Sequence, residues 1–146
     1  MVDLQTLYHD GLVTIEFIDG AADNETKSGT GGDVLVYENV CFILVAGTSE
    51  AANVTFKAQQ DTVSTFGSAA DLAGTAQTVA AAADADDIGI LDIHNPQERY
   101  VRAVAVVPNV TTPVPVCCVA IRYGAKEKPT SGNSGEFHAA PAEGTA

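Results

Sequence analysis

The sequence predicts an all-β protein, an antiparallel β-sandwich or jelly roll. Three observations indicate this fold. Short apolar runs recur along the chain, several of them alternate with polar residues at a period of two, and segments rich in Gly, Asp, Asn, Ser and Thr separate them. The sequence shows no long amphipathic helical pattern, and no self-similarity at a period of roughly 20 to 50 residues suggests a propeller or solenoid. About seven or eight strands are expected around one core.

The composition limits both the core and the class of partner. At 146 residues the chain suits one domain, and much of its 46% hydrophobic content is Ala and Val, since only 6% is aromatic. The chain has 19 acidic residues and 7 Lys and Arg, a formal charge of −12. Nucleic acid and anionic membranes are not expected as partners, because both require clustered positive charge. The charge suits either solubility alone or docking onto a basic surface.

Neither export nor membrane insertion is expected. The first residues lack the positive region and the apolar stretch of a secretory signal. The longest apolar stretches, residues 41–47 and 101–108, are far shorter than the roughly 20 residues that a membrane-spanning helix needs.

The first strand is predicted over residues 12–18. Val13, Ile15 and Phe17 alternate with polar residues, so we expect these three side chains to face the core and Glu16 to face solvent.

An exposed loop is predicted over residues 21–33, which are rich in Gly, Asp, Asn, Ser and Thr. The loop lacks the Gly-Lys-Ser/Thr ending and the following helix of a phosphate cradle. The β-branched and aromatic runs at 34–37 and 40–45 then form either a hairpin or one bent strand.

The middle of the chain gives one clear strand and two less regular segments. Residues 53–60 alternate regularly and predict an amphipathic strand. Residues 61–74 predict a loop with one large apolar anchor, Phe66, turned inward. The Ala-rich run 76–83 suits a short helix or an extended edge equally well, because it has high helix propensity but is only about two turns long.

Three further strands are predicted over residues 88–93, 99–107 and 111–123. Pro113 and Pro115 should lie at the start of the last strand or at a sheet edge, because proline has no N–H to donate to a ladder.

The predicted organisation is an N-terminal arm at residues 1–10, a β-sandwich domain at 11–123 and a flexible tail at 124–146. The tail is rich in Gly, Ser, Pro and Ala, a composition that does not order without a partner.

No catalytic, metal or cofactor site is predicted. The three histidines, at positions 9, 94 and 138, have no partner at metal-ligand spacing, and the acidic run 84–87 does not follow the calcium-binding EF-hand pattern. An odd number of cysteines, Cys41, Cys117 and Cys118, does not form a disulfide framework, so we expect free thiols. Adjacent cysteines in a strand point to opposite faces, so one of the pair at most shares a face with Cys41.

Four segments resemble the small jelly-roll decoration (cement) proteins of tailed-bacteriophage heads. They are residues 54–61 (VTFKAQQD), 71–75 (DLAGT), 91–96 (LDIHNP) and 99–102 (RYVR), in that order. The resemblance extends over residues 53–128, about half of the chain.

The resemblance implies a virion protein without catalytic residues. Such a protein binds the outer surface of the capsid, clamps neighbouring major capsid subunits and assembles as a trimer or dimer. It would be made in the host cytoplasm. Flexible ends can wrap a neighbouring subunit by ordering on binding. Arg99 and Arg102 would supply cationic contacts unless they form salt bridges inside the sandwich. The candidate interface residues are Tyr8, His9, Arg99, Arg102, Lys126 and Lys128.

Two other function classes remain open at this point. One is a carbohydrate-binding β-sandwich on a phage tail or baseplate, which predicts a groove lined by surface aromatics, although the sequence has no Trp and only four Tyr. The other is a hydrolase, which requires a Cys or Ser within reach of His94.

Overall fold

The computed structural model describes residues 10–47, 52–81 and 87–126. Within these ranges the chain is built of β-strands that form two antiparallel sheets. The strands are β1 (Leu12–Ala22), β2 (Glu25–Ser28), β3 (Gly32–Asp33), β4 (Tyr37–Ala46), β5 (Ala52–Asp61), β6 (Ala70–Asp71), β7 (Gln77–Ala81), β8 (Asp87–His94), β9 (Tyr100–Val107) and β10 (Val114–Ala125).

Sheet A has the strand order β1-β10-β4-β8, and sheet B has the order β2-β9-β5-β6. Strand β3 follows β2 along β9, and β7 follows β6 along β5. We therefore count β2 with β3 as one interrupted strand, and β6 with β7 as another. Numbered this way along the described chain, the strand order is 1-8-3-6 in sheet A and 2-7-4-5 in sheet B, which is the order of a jelly roll. The predicted all-β sandwich is therefore confirmed.

The core lies between the sheets and consists mainly of aliphatic and small side chains. Phe42 and Leu44 of β4 and Phe56 of β5 are fully buried and supply its largest members. Strand β8 approaches sheet B closely at Gly89, where a Cβ would come within 2.6 Å of Val79. A side chain does not fit there, so β8 contributes backbone to the core at Gly89. Ile88 and Ile90 point outward, whereas Leu91 and Ile93 pack against the core.

The prediction for the faces of the first strand was right for Phe17, which packs against the core, and wrong for the residues before it. Val13 and Ile15 are exposed, whereas Glu16 is buried. The cause is a β-bulge: Ile15 pairs with Val119 and Phe17 with the next residue back along β10, which leaves Glu16 as an extra residue in β1. A bulge inverts the period of two, and the sequence pattern does not reveal it.

Two segments without an apolar strand pattern also form strands. The predicted loop 21–33 contains β2 and β3, both paired with β9, and the Ala-rich run contains β7, paired with β5. In both cases backbone hydrogen bonds to a neighbouring strand decide the conformation. In the described part of the Ala-rich run, residues 76–81, the extended alternative is therefore correct and the helix is not. Residues 82 and 83 lie outside the described residues.

The run 34–37 is a turn and not a strand. Val34 is buried, and its carbonyl accepts a hydrogen bond from the N–H of Tyr37, the first residue of β4. Leu35 and Val36 are exposed in this turn.

The loop after β5 is organised around Phe66 as predicted, since this ring is buried. Pro115 lies at the start of β10, also as predicted. Strand β10 continues to Ala125, two residues beyond the predicted end of the domain. Residues 1–9 and 127–146, which hold nearly all of the predicted arm and tail, lie outside the described residues.

Candidate binding surfaces

The first candidate surface surrounds the turn before β4. We call it the terminal corner, and it comprises residues 33–36, Arg99 and Lys126. The N–H of Val34 donates to the carbonyl of Arg99 (2.9 Å). The backbone N–H of Lys126 donates to the carbonyl of Val36 (3.0 Å), and its Nζ donates to the carbonyl of Leu35 (2.8 Å). The turn thus presents two exposed aliphatic side chains next to two cations.

Both ends of the described chain leave from this corner. Ala125 donates its N–H to Oδ1 of Asp10 (3.2 Å), so the residue before β1 and the last residue of β10 are held together. Of the predicted interface residues, Arg99 and Lys126 lie in the corner. Tyr8, His9 and Lys128 lie outside the described residues, in the segments that continue from it.

The charge of the corner is partly neutralised by a carboxylate. Arg99 donates from Nε (2.9 Å) and Nη2 (2.7 Å) to Oδ2 of Asp33. These hydrogen bonds hold the pKa of Asp33 below its ordinary value. The guanidinium also lies 5.1 Å from the centroid of the Tyr100 ring.

Arg102 contacts a different set of residues. Its guanidinium lies 4.5 Å from the centroid of the Phe66 ring, and Nε and Nη2 both donate to Oε1 of Gln59. These contacts attach the loop after β5 to β9. Arg102 therefore has structural contacts, but with a neutral amide and a ring and not with a carboxylate. Of the two arginines, Arg99 forms the salt bridge that was expected, with Asp33.

The second candidate surface is the outer face of sheet A, which we call the aliphatic face. Its members are Val13, Ile15, Ile18, Cys41, Ile43, Val45, Ile88, Ile90, Cys117, Val119 and Ile121.

The aliphatic face consists of three rows that run across all four strands. The first row is Ile18, Cys117, Val45 and Ile88, and the second is Ile15, Val119, Ile43 and Ile90. The third row is Val13, Ile121, Cys41 and Asp92.

The most exposed members of the face are isoleucines: Ile18 (68%), Ile88 (59%), Ile90 (57%) and Ile15 (56%). A shallow apolar depression continues the first row at its end, where Ile18 and Val45 meet Pro115. A contiguous exposed apolar patch often has a function, so this face is a candidate interaction site.

A polar group closes the aliphatic face at its third row. Tyr123 donates its hydroxyl to Oδ1 of Asp92 (2.6 Å), and Nε2 of His94 lies 3.5 Å from Oδ2 of Asp92. Burial and this carboxylate raise the pKa of Tyr123 to about 12. Burial, followed by Asp92, also raises the pKa of Cys41, which faces Asp92 across the strand pair.

All three cysteines are free thiols, as predicted. Cys117 shares the aliphatic face with Cys41, whereas Cys118 points into the core, where burial raises its pKa strongly. Among the described residues, no group of three or more His, Cys, Asp and Glu is arranged to hold a metal ion. No helix in the same residues is long and apolar enough to cross a membrane.

Comparison with known proteins gives a likeness of fold. No family model matches the sequence, and no curated protein matches it. Among solved structures, the chain is similar to the PBSX exported protein XepA, with a TM-score of 0.55 and 16% identity over 98% of the chain. The chain spans about half of that protein, 47% of its length. Neither this protein nor the next is described as a head decoration protein.

A weaker likeness is to a protein of the disulfide-linked pili of Bacillus endospore appendages. The TM-score is 0.43 and the identity is 13%, over 81% of this chain and 88% of that one. This score is too low to support an argument about function.

Proposed function

We propose that the protein is a structural, non-enzymatic component of a phage particle, a decoration protein that binds the outer surface of the head. Its partner would be the major capsid protein, and neighbouring capsid subunits would be held together by it. The observation that carries the proposal is the terminal corner, where an exposed apolar turn, two cations and both ends of the described chain meet.

The corner has the properties that an attachment point requires. Leu35 and Val36 are more than half exposed, and Lys126 lies beside them on a chain of charge −12. The chain continues from this point into residues 1–9 and 127–146, which we propose wrap a neighbouring subunit. Copies repeated by the symmetry of a head add many weak contacts through multivalency.

The geometry around the cysteines supports a protein without nucleophilic chemistry. A reactive thiol needs a lowered pKa, whereas burial raises the pKa of Cys41 and of Cys118. His94 contacts Asp92 and Tyr123, and no hydrogen bond joins it to a Cys or Ser within the described part of the chain. The contacts that a hydrolase needs are therefore not formed among these residues.

The fold likeness agrees with a phage origin. XepA is an exported protein of PBSX, a phage. At 16% identity the likeness shows the fold alone, so the phage origin and the position on the particle are both part of the proposal.

The kind of exposed side chain favours a protein partner over a sugar. Carbohydrate-binding grooves use exposed aromatic rings, whereas the exposed large apolar side chains in the described residues are all Val, Leu or Ile. This observation disfavours the carbohydrate-binding alternative.

The proposal is tested by particle sedimentation. Particles from the strain that encodes the protein are separated on a density gradient, and the protein is quantified in the head, tail and soluble fractions. We expect it in the fraction of DNA-filled heads. Purified protein added to heads that lack it should bind, and L35D with K126E should reduce the bound amount by about tenfold or more, because the apolar contact and the cation are both lost.

The matched control is K27E. Lys27 on β2 forms ion pairs with Asp19 of β1 and with Glu25 of β2, and its replacement makes the same change in charge as K126E, away from the corner. We expect K27E to bind heads like the wild type. A protein that sediments with tails or stays soluble would overturn the proposal, and so would equal loss of binding in K27E.

A further inference from the structure

The aliphatic face is the largest feature that the proposed function does not use. Its exposed members are β-branched, like the inward residues of the sandwich, and the first two rows contain no charged side chain. We propose that two copies of this chain pair through their aliphatic faces, sheet A against sheet A. This inference does not rest on attachment to a phage head.

The size of the face argues for a second copy as the occupant. Sheet A has four strands that lie about 4.8 Å apart, and the three rows lie about 6.7 Å apart along each strand. The aliphatic face therefore covers roughly 400 Å² when it is viewed perpendicular to the sheet. Protruding side chains and the apolar depression beside Pro115 add to this surface. A standard interface uses about 800 Å² per partner, so the face suits a reversible dimer and not an obligate one. Two such faces can pack like the two sheets of a sandwich, about 10 Å apart.

The remaining segments of the chain fit the face less well. Residues 1–9 continue from Asp10, at the end of the sheet beside Ala125 and away from the most exposed row. One extended segment is about one strand wide and would cover roughly a quarter to a half of the four strands. Residues 127–146 contain a single large apolar side chain, Phe137. Neither segment matches the width and the composition of the face as a second copy does.

The charge of the protein gives this dimer a distinctive dependence on salt. Two copies of charge −12 repel each other, and salt screens that repulsion. Contact between uncharged faces is not weakened by salt. The dimer should therefore become tighter as salt increases, whereas binding to a basic partner would become weaker.

The test is sedimentation equilibrium over a roughly fifty-fold range of protein concentration, at low and high NaCl. We expect a monomer–dimer equilibrium that shifts toward dimer at high salt. I90K, at the β8 end of the second row, should weaken dimerisation by about tenfold or more. I90K reduces the net negative charge of each copy, so stronger electrostatic repulsion between the two copies cannot explain weaker dimerisation. Ile90 is exposed, so the variant should fold, and circular dichroism checks this.

The matched control is V63K, which adds the same charge to an exposed aliphatic residue outside sheet A. It should dimerise at least as well as the wild type. A second readout is thiol labelling: Cys41 and Cys117 lie in the face, so they should react more slowly in the dimer than in I90K.

Several outcomes would overturn the proposal. They are a wild type that stays monomeric throughout, equal dimerisation of I90K and the wild type, and loss of the dimer in V63K. A monomer that binds an apolar dye only after L4S and L7S substitution would assign the face to residues 1–9 instead. A monomer that binds the dye without any substitution would assign it to a different partner.

Discussion

Glu16 is a buried carboxyl at the bulge of β1. Its Oε2 accepts hydrogen bonds from the N–H of Gly31 (3.1 Å) and of Ala103 (3.4 Å), while Oε1 has no hydrogen-bond partner among the described residues. Burial raises the pKa of this carboxyl, and the two N–H groups and the charge of Arg122 only partly oppose the rise. Burial therefore disfavours the ionised form of Glu16, which is the form that this carboxyl takes at neutral pH in the unfolded chain.

This geometry predicts how stability depends on pH. The pKa of Glu16 is higher in the folded state than in the unfolded chain. Its contribution to the free energy of unfolding is therefore complete at a pH below its unfolded-state pKa, and it is lost as the pH rises through its folded-state pKa. E16Q should remove this loss, so the free energy of unfolding of E16Q minus that of wild type should increase with pH. The increase is about 1.4 kcal/mol for each unit by which the folded pKa exceeds the unfolded one.

Urea denaturation at several pH values between about 4 and 8 measures this difference. E38Q, on an exposed side chain of β4, controls for removal of a negative charge. A difference that stays constant or decreases with pH would show that Glu16 does not titrate as its surroundings predict.

Gly31 is required for two independent reasons. Its φ is +71°, in the left-handed region, and a Cβ there would lie 2.3 Å from the Phe66 ring. G31A should lower the free energy of unfolding by roughly 2 to 4 kcal/mol, because backbone strain and overpacking combine. G20A is the matched control, since nothing lies within 4 Å of a Cβ at Gly20 and it should change stability little. Equal thermal stability of the two variants would contradict this explanation.

At the scale of elements, the loop after β5 depends on one carboxylate. Asp61 accepts hydrogen bonds from the N–H of Ser68 (2.9 Å) and of Val63 (3.2 Å). Both hydrogen bonds lower the pKa of Asp61, and the one from Ser68 has the larger effect. The loop in turn carries Phe66, on which Arg102 lies.

D61A should therefore loosen the loop while it leaves the sheets intact. Amide hydrogen exchange should become faster at residues 62–69 and stay unchanged in β4 and β10, because only the loop loses its acceptor. S64A, at an exposed position of the same loop, is the control and should exchange like the wild type. Faster exchange throughout the sandwich would show instead that Asp61 stabilises the fold as a whole.

The strands and loops differ in how far the sequence predicts them. The strands at β5, β8, β9 and β10 follow from alternation and β-branched content, and the inward position of Phe66 follows from its being the one large apolar residue in a polar loop. Two elements could not be predicted, because they depend on distant partners: β2 forms by pairing with β9, and the bulge in β1 by its register with β10.

The bulge also explains why the aliphatic face was not predicted. Alternation assigned Val13 and Ile15 to the core, so these two side chains were not expected on an exposed surface. The terminal corner was predictable only in part. Arg99 and Lys126 were expected at an interface, but the exposed turn between them appears only when Val34 bonds to Arg99 and Lys126 to Val36.

At the scale of the whole molecule, the described chain is a sandwich with two separate surfaces that we propose as binding sites. The terminal corner and the aliphatic face involve different residues, so the variants L35D with K126E and I90K can separate their roles. A protein that joins copies through one surface and a larger assembly through the other would suit a structural role in a particle.

The most direct test of that role is a cryo-electron microscopy reconstruction of heads from the strain that encodes the protein. The account predicts density for the jelly roll on the outer surface, above junctions between major capsid subunits, with residues 33–36 and Lys126 facing the shell. Heads without this density, or density of this shape on the tail, would contradict it.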